Sequence, residues 1–78
     1  MAEYTVVYYD LTEKWTETIS SAQPMTCLEA VQTALGQHGK SEEPQPGLIY
    51  VCDGSQLLGN TVLPEGAHLN VYMILGGG

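Results

Sequence analysis

From Glu3 to Asp10 the chain is dense in β-branched and aromatic residues, which suit a pleated, half-buried surface and predict a first strand. Its two interleaved faces, Tyr4/Val6/Tyr8 and Thr5/Val7/Tyr9, are both fairly apolar, so one faces a core and the other is covered or used for contact. Alternation alone does not say which. Asp10 to Glu13 supplies polar turn residues, and strand character resumes from Lys14 to Ser20, closing a β-hairpin. Trp15 and Ile19 share a side with Glu17 between them, a pattern that fits a strand at the sheet edge.

The period then changes. Thr26-Cys27-Leu28-Glu29 has the form of a capping box, and Leu28, Val31 and Leu35, flanked by Ala30 and Ala34, recur at helical spacing. This predicts a helix over 26–37, with Gly36 and Gly39 as candidate stops and His38 placed to favour the helix C-terminus. Ser41 to Gly47 carries two prolines and the adjacent Glu42 and Glu43, and reads as a loop with a solvated acidic tip. Leu48 to Cys52 is a short apolar strand. Asp53-Gly54 suits the positive φ values of a tight hairpin, and Gln56-Leu57-Leu58 is the returning strand. Gly59-Asn60 ends it, and a turn at Pro64-Glu65-Gly66 follows. The last strand alternates from His68 to Ile74, with Leu69, Val71 and Met73 on one face and His68, Asn70, Tyr72 and Ile74 on the other.

Strand, strand, helix, strand, short strand, strand suits an α+β domain, a sheet of four to five strands with one helix on one face. The expected core is Val6, Leu28, Val31, Leu35, Leu48, Tyr50, Leu57, Leu69, Val71 and Met73. Seventy-eight residues allow one domain, expected over 1–73, with 74–78 a flexible tail.

Charge narrows the partners. Nine acidic residues against Lys14 and Lys40 give a formal charge of -7, which repels a phosphate backbone and an anionic membrane surface alike. Nucleic acid and membrane are not expected as partners, whereas such a field speeds encounter with a basic protein face. Met1-Ala2-Glu3-Tyr4 lacks a basic region and an apolar signal core, so a cytoplasmic protein is the expectation. Cys27 and Cys52 have no Cys-x-x-Cys pair and no histidine at zinc spacing. Buried reduced thiols are the favoured reading, and no bound metal or cofactor is implied.

The remaining motif is Ile74-Leu75-Gly76-Gly77-Gly78. Glycine lacks a Cβ, so such a segment packs poorly but threads a narrow channel in extended form. Beyond Met73 it reaches about 16 Å, at ~3.3 Å per residue.

Element order, length and tail together resemble the β-grasp proteins of the ubiquitin superfamily. Leu48-Ile49-Tyr50-Val51 followed by Gln56-Leu57 is similar to ubiquitin's Leu-Ile-Phe-Ala followed by Gln-Leu, with a longer intervening turn at Cys52-Asp53-Gly54-Ser55. Leu63-x-x-Gly66-x-x-Leu69-x-Val71, ending in Gly-Gly, is similar to the bacterial sulfur carriers of thiamine and molybdopterin synthesis. The resemblance implies that an activating enzyme spends ATP to adenylate the carboxylate of Gly78, so the chain is a substrate or carrier with no catalytic side chain of its own. Gly76 and Gly77 then thread the enzyme's channel, and Ile74 with Leu75 form an apolar grip. Ubiquitin's basic approach to Gly-Gly is replaced by Met73-Ile74-Leu75-Gly76, which is closer to the prokaryotic carriers. Its exposed apolar patch has a counterpart in Ile49 and Tyr72, both expected to face outward as a partner-binding surface; cross-strand packing explains the same residues without a partner.

Three functions follow as expectations. The first is a monomeric, prokaryotic-type protein modifier, passed from activating enzyme through a conjugating enzyme to an amine on a target protein, with a deconjugating protease as a further partner. The second is a sulfur carrier bearing a C-terminal thiocarboxylate. The third is a β-grasp interaction module with incidental glycines, like the β-grasp proteins of bacterial secretion loci.

Overall fold

The computed structural model describes residues 2–9, 13–39 and 47–73. Its elements are β1 (Ala2–Tyr9), β2 (Lys14–Ser21), α1 (Cys27–Gln37), β3 (Leu48–Cys52), β4 (Ser55–Leu57) and β5 (His68–Met73). They form one mixed five-stranded sheet in the order β2-β1-β5-β3-β4, with α1 against one face. β1 and β5 run parallel and the other neighbours antiparallel. This is an α+β fold compatible with a β-grasp.

Local chemistry accounts for the boundaries. Thr26 is the N-cap of α1: its hydroxyl accepts from the Glu29 N–H (3.2 Å), and the Glu29 carboxylate accepts from the Thr26 N–H (2.9 Å). Two further first-turn donors are taken by the β4–β5 connection, where Thr61 O accepts from Cys27 N–H and Gly59 O from Leu28 N–H, both at 2.9 Å. The donors that a helix start leaves open are thus filled by protein. At the other end the helix runs through Gly36 and stops at His38, with Gly39 at φ +80° behind it. That left-handed residue is where glycine ends a helix most readily. The β3–β4 hairpin turns on Asp53 (φ 52°) and Gly54 (φ 80°), the positive pair that the Asp-Gly dipeptide predicts.

The sheet's inner face resolves the ambiguity of β1. Tyr4, Val6 and Tyr8 are buried, and Thr5, Val7 and Tyr9 turn outward, half-buried. They join Ile19 and Trp15 of β2, Leu69 and Val71 of β5, and Tyr50 and Cys52 of β3 beneath the helix. Leu48, Leu57 and Met73, expected inside, pack on the margin of this core. Leu63 and Ala67, bracketing the Pro64–Gly66 turn, close its end. Fully burying one such aliphatic side chain contributes roughly 1.5–3 kcal/mol.

Leu28 is the correction. It was expected in the core stripe, yet the buried face of α1 is Cys27, Ala30, Val31, Ala34 and Leu35, and Leu28 is 38% exposed. The stripe differs from the expectation at its first position alone: Cys27 takes the buried place and Leu28 falls to the flank, while Ala30, Val31, Ala34 and Leu35 stay inside. β4 is also shifted, and Leu58 lies beyond its end. Ile74 and the loop tip at Glu42 and Glu43 lie outside the described residues.

Candidate functional site

Period-two alternation on three adjacent strands lines up one row on the outer face of the sheet, away from α1. Ile49 on β3 lies opposite Tyr72 on β5, and Tyr72 lies beside Tyr9 on β1. The two tyrosine rings stack with centroids 4.6 Å apart and planes at 8°, a separation at which offset aromatic pairs attract. Lys14, the β2 partner of Tyr9, extends the row with its Nζ 5.3 Å from the Tyr9 ring centroid. That is within reach of a cation–π contact. Tyr72 is 39% exposed, and Ile49 and Tyr9 are half-buried.

The row stands next to the predicted tail in sequence. Met73, still paired with Leu48, follows Tyr72 and precedes Ile74. Ile74, Leu75, Gly76, Gly77 and Gly78 lie outside the described residues. Of the predicted site, then, the fold brings Ile49 and Tyr72 into direct register. Tyr9 and Lys14 were not singled out; the outward Thr5/Val7/Tyr9 face was visible in the alternation, but which strand borders β5 was not.

A second cluster closes the edge of the sheet. Thr5 sends its N–H to Ala67 O on the β5 side (3.0 Å), so Thr18 opposite it turns its backbone groups to the open edge of β2. Gln37 Nε2, at the end of α1, donates to that Thr18 carbonyl (3.1 Å) and to Glu17 Oε1 (3.2 Å). His38 Nδ1 lies 3.1 Å from Glu17 Oε2, and its ring stacks on Trp15 at 4.1 Å. Trp15 in turn stacks on Tyr8 at 4.9 Å. Hydrogen bonding to His38 first, and to Gln37 second, holds the Glu17 carboxyl below its ordinary value of 4.5. Glu17 interrupts an apolar face because β2 is an edge strand, and its partner is the helix end.

The chemistry available to these side chains is limited. Cys27 and Cys52 are free and buried. Burial pushes both thiols up, with Cys52 adding to the effect on Cys27 and Asp53 to that on Cys52. Thiols with raised pKa carry little thiolate and are poor nucleophiles at neutral pH. Among the described residues, no group of three or more His, Cys, Asp or Glu side chains is gathered to hold a metal ion, and no helix is long and apolar enough to cross a membrane. A depression along α1 is lined by Glu29, Gln32, Thr33, Gly36 and Gln37, all from the helix itself, and is open to solvent. No protein-family model matches the chain, and no curated protein matches its sequence.

Proposed function

We propose that the domain is a β-grasp protein of the ubiquitin-like type and acts as a protein modifier through the carboxylate of Gly78. The observation that carries the reading is the central position of β5. It pairs with β1 on one side and β3 on the other up to Tyr72 and Met73, and the glycine segment follows directly. A segment anchored in the middle of a sheet is presented from a rigid base, beside the Ile49–Tyr72–Tyr9 row that gives an activating enzyme an apolar hold. In the proposed sequence the Gly78 carboxylate attacks the α-phosphorus of ATP and releases pyrophosphate. An enzyme thiol then displaces AMP to form a thioester, and a target amine displaces the thiol to form an isopeptide bond. The domain contributes presentation and docking, and its partner enzymes supply the catalytic groups. Its own two thiols, buried and protonated, do not compete for the activated carbonyl.

The apolar approach Met73-Ile74-Leu75 favours a second reading, in which sulfide displaces AMP and Gly78 becomes a thiocarboxylate for cofactor or metabolite synthesis. Both readings share the activation step. Removal of Gly77 and Gly78 is expected to abolish ATP–pyrophosphate exchange by the host's activating enzyme while thermal unfolding stays unchanged. Exchange that survives the truncation overturns the role of Gly78 in both, and no exchange with the full chain leaves a non-conjugated interaction module. Intact mass spectrometry of protein from its host divides them: an isopeptide adduct supports the modifier, and a sulfur-for-oxygen exchange at the terminus supports the carrier.

A further inference from the structure

The β4–β5 connection leaves a second apolar surface, beside the N-terminal turn of α1. Leu58 is 71% exposed, Val62 58% and Leu28 38%. All three stand around one fixed piece of backbone. Leu28 N–H donates to Gly59 O, Thr61 N–H to Leu58 O (3.0 Å) and Leu63 N–H to Met25 O (2.8 Å), and Val62 bridges to Thr26. Scattered exposed aliphatics are ordinary, but several held on one braced loop form a patch of the kind that marks contact sites. Because the backbone is already ordered, a partner that covers them meets little further ordering cost.

The surrounding charge says what fits. Glu29 follows Leu28 on the exposed side of α1, and Glu65 lies in the turn just beyond Val62. Gly66 N–H donates to Glu3 O (2.8 Å), which brings the start of β1 beside that turn. Lys14, by contrast, pairs with Tyr9 at the opposite end of β1. This end of the molecule is acidic, and the chain as a whole carries -7, so a second copy approaching the patch meets like charge.

We propose that Leu28, Leu58 and Val62 dock a basic segment of another protein, which seats an apolar side chain among them while its lysines or arginines face Glu29, Glu65 and Glu3. The surface is built on the β4–β5 connection and the first turn of α1, apart from the strand positions that carry the Ile49–Tyr72–Tyr9 row. It stands independently of any chemistry at Gly78.

The test is methyl NMR of the full chain titrated with a synthetic amphipathic peptide, leucines on one helical face and lysines on the other, beside a scrambled peptide of equal composition. The patterned peptide is expected to give saturable shifts at the Leu28, Leu58 and Val62 methyls, weakened by added salt. Leu58→Ser is expected to reduce affinity by about tenfold, the scale of one lost anchor, without lowering the melting temperature. If that variant melts early, Val62→Ser takes its place. Equal binding of the scrambled peptide, shifts confined to the Ile49 methyls, or self-association of the free protein abolished by Leu58→Ser each overturns the proposal.

Discussion

The two faces of the sheet are built from the same alternating strands, and they differ in what covers them. On the inner face an 11-residue helix lies over Val6, Leu69 and Val71, which are fully buried. On the outer face Val7, Asn70 and Tyr72 stand at neighbouring positions on the same two strands and stay half-buried or exposed. The inner face therefore supplies stability, and the outer face is left accessible. Composition alone does not separate them: Tyr8 and Tyr9 are adjacent, and one stacks inside on Trp15 while the other stacks outside on Tyr72.

The contrast is broken most directly from inside. Leu69→Ala removes a fully buried side chain on the central strand, and the cavity it leaves is expected to cost about 2–5 kcal/mol in urea denaturation. A loss below about 1 kcal/mol, the scale of a surface change, erases the distinction between the faces. On the outer face, Ile49→Asp is expected to cost about 1 kcal/mol or less, consistent with a half-buried site, while weakening binding to the activating or conjugating enzyme. A loss equal to that of Leu69→Ala shows instead that Ile49 belongs to the core.

The smallest effect probes where the inner face ends. Glu17 has a depressed pKa in the folded protein, so the stability it contributes is present above its ordinary value of 4.5 and is lost as pH falls through the lower, folded one. Denaturation followed across that acid range is expected to decline more steeply for the native protein than for Glu17→Gln. Parallel curves show that the contact with His38 and Gln37 does not hold the edge.

Which features were legible in the sequence follows from how local their causes are. Thr26 and Glu29 close a capping box three residues apart, and Asp53-Gly54 adopts the turn its own sterics dictate. The alternation of Leu69, Val71 and Met73 carried over to β5 for the same reason. The first position of the α1 stripe did not, because Leu28 and Cys27 compete for one edge of the stripe and the packing of the helix on the sheet decides between them. Glu17 and His38, 21 residues apart, meet only once the helix end has docked on the edge strand. Ile49 was legible as outward-facing, but its register with Tyr72 depends on the antiparallel β3–β5 pairing, and that of Tyr72 with Tyr9 on the parallel β1–β5 pairing, neither of which a local pattern announces.

The parallel β1–β5 pairing also fixes how the domain bears a pulling force. The chain enters at the start of β1 and leaves at the end of β5, which lie at opposite ends of the ladder running from Thr5–His68 to Tyr9–Tyr72. Tension applied between Ala2 and Met73 loads those pairs in shear, so the bonds resist together and do not unzip one at a time. Threaded from either end by an unfolding machine, the domain resists through the rate of that one rupture rather than through its equilibrium stability.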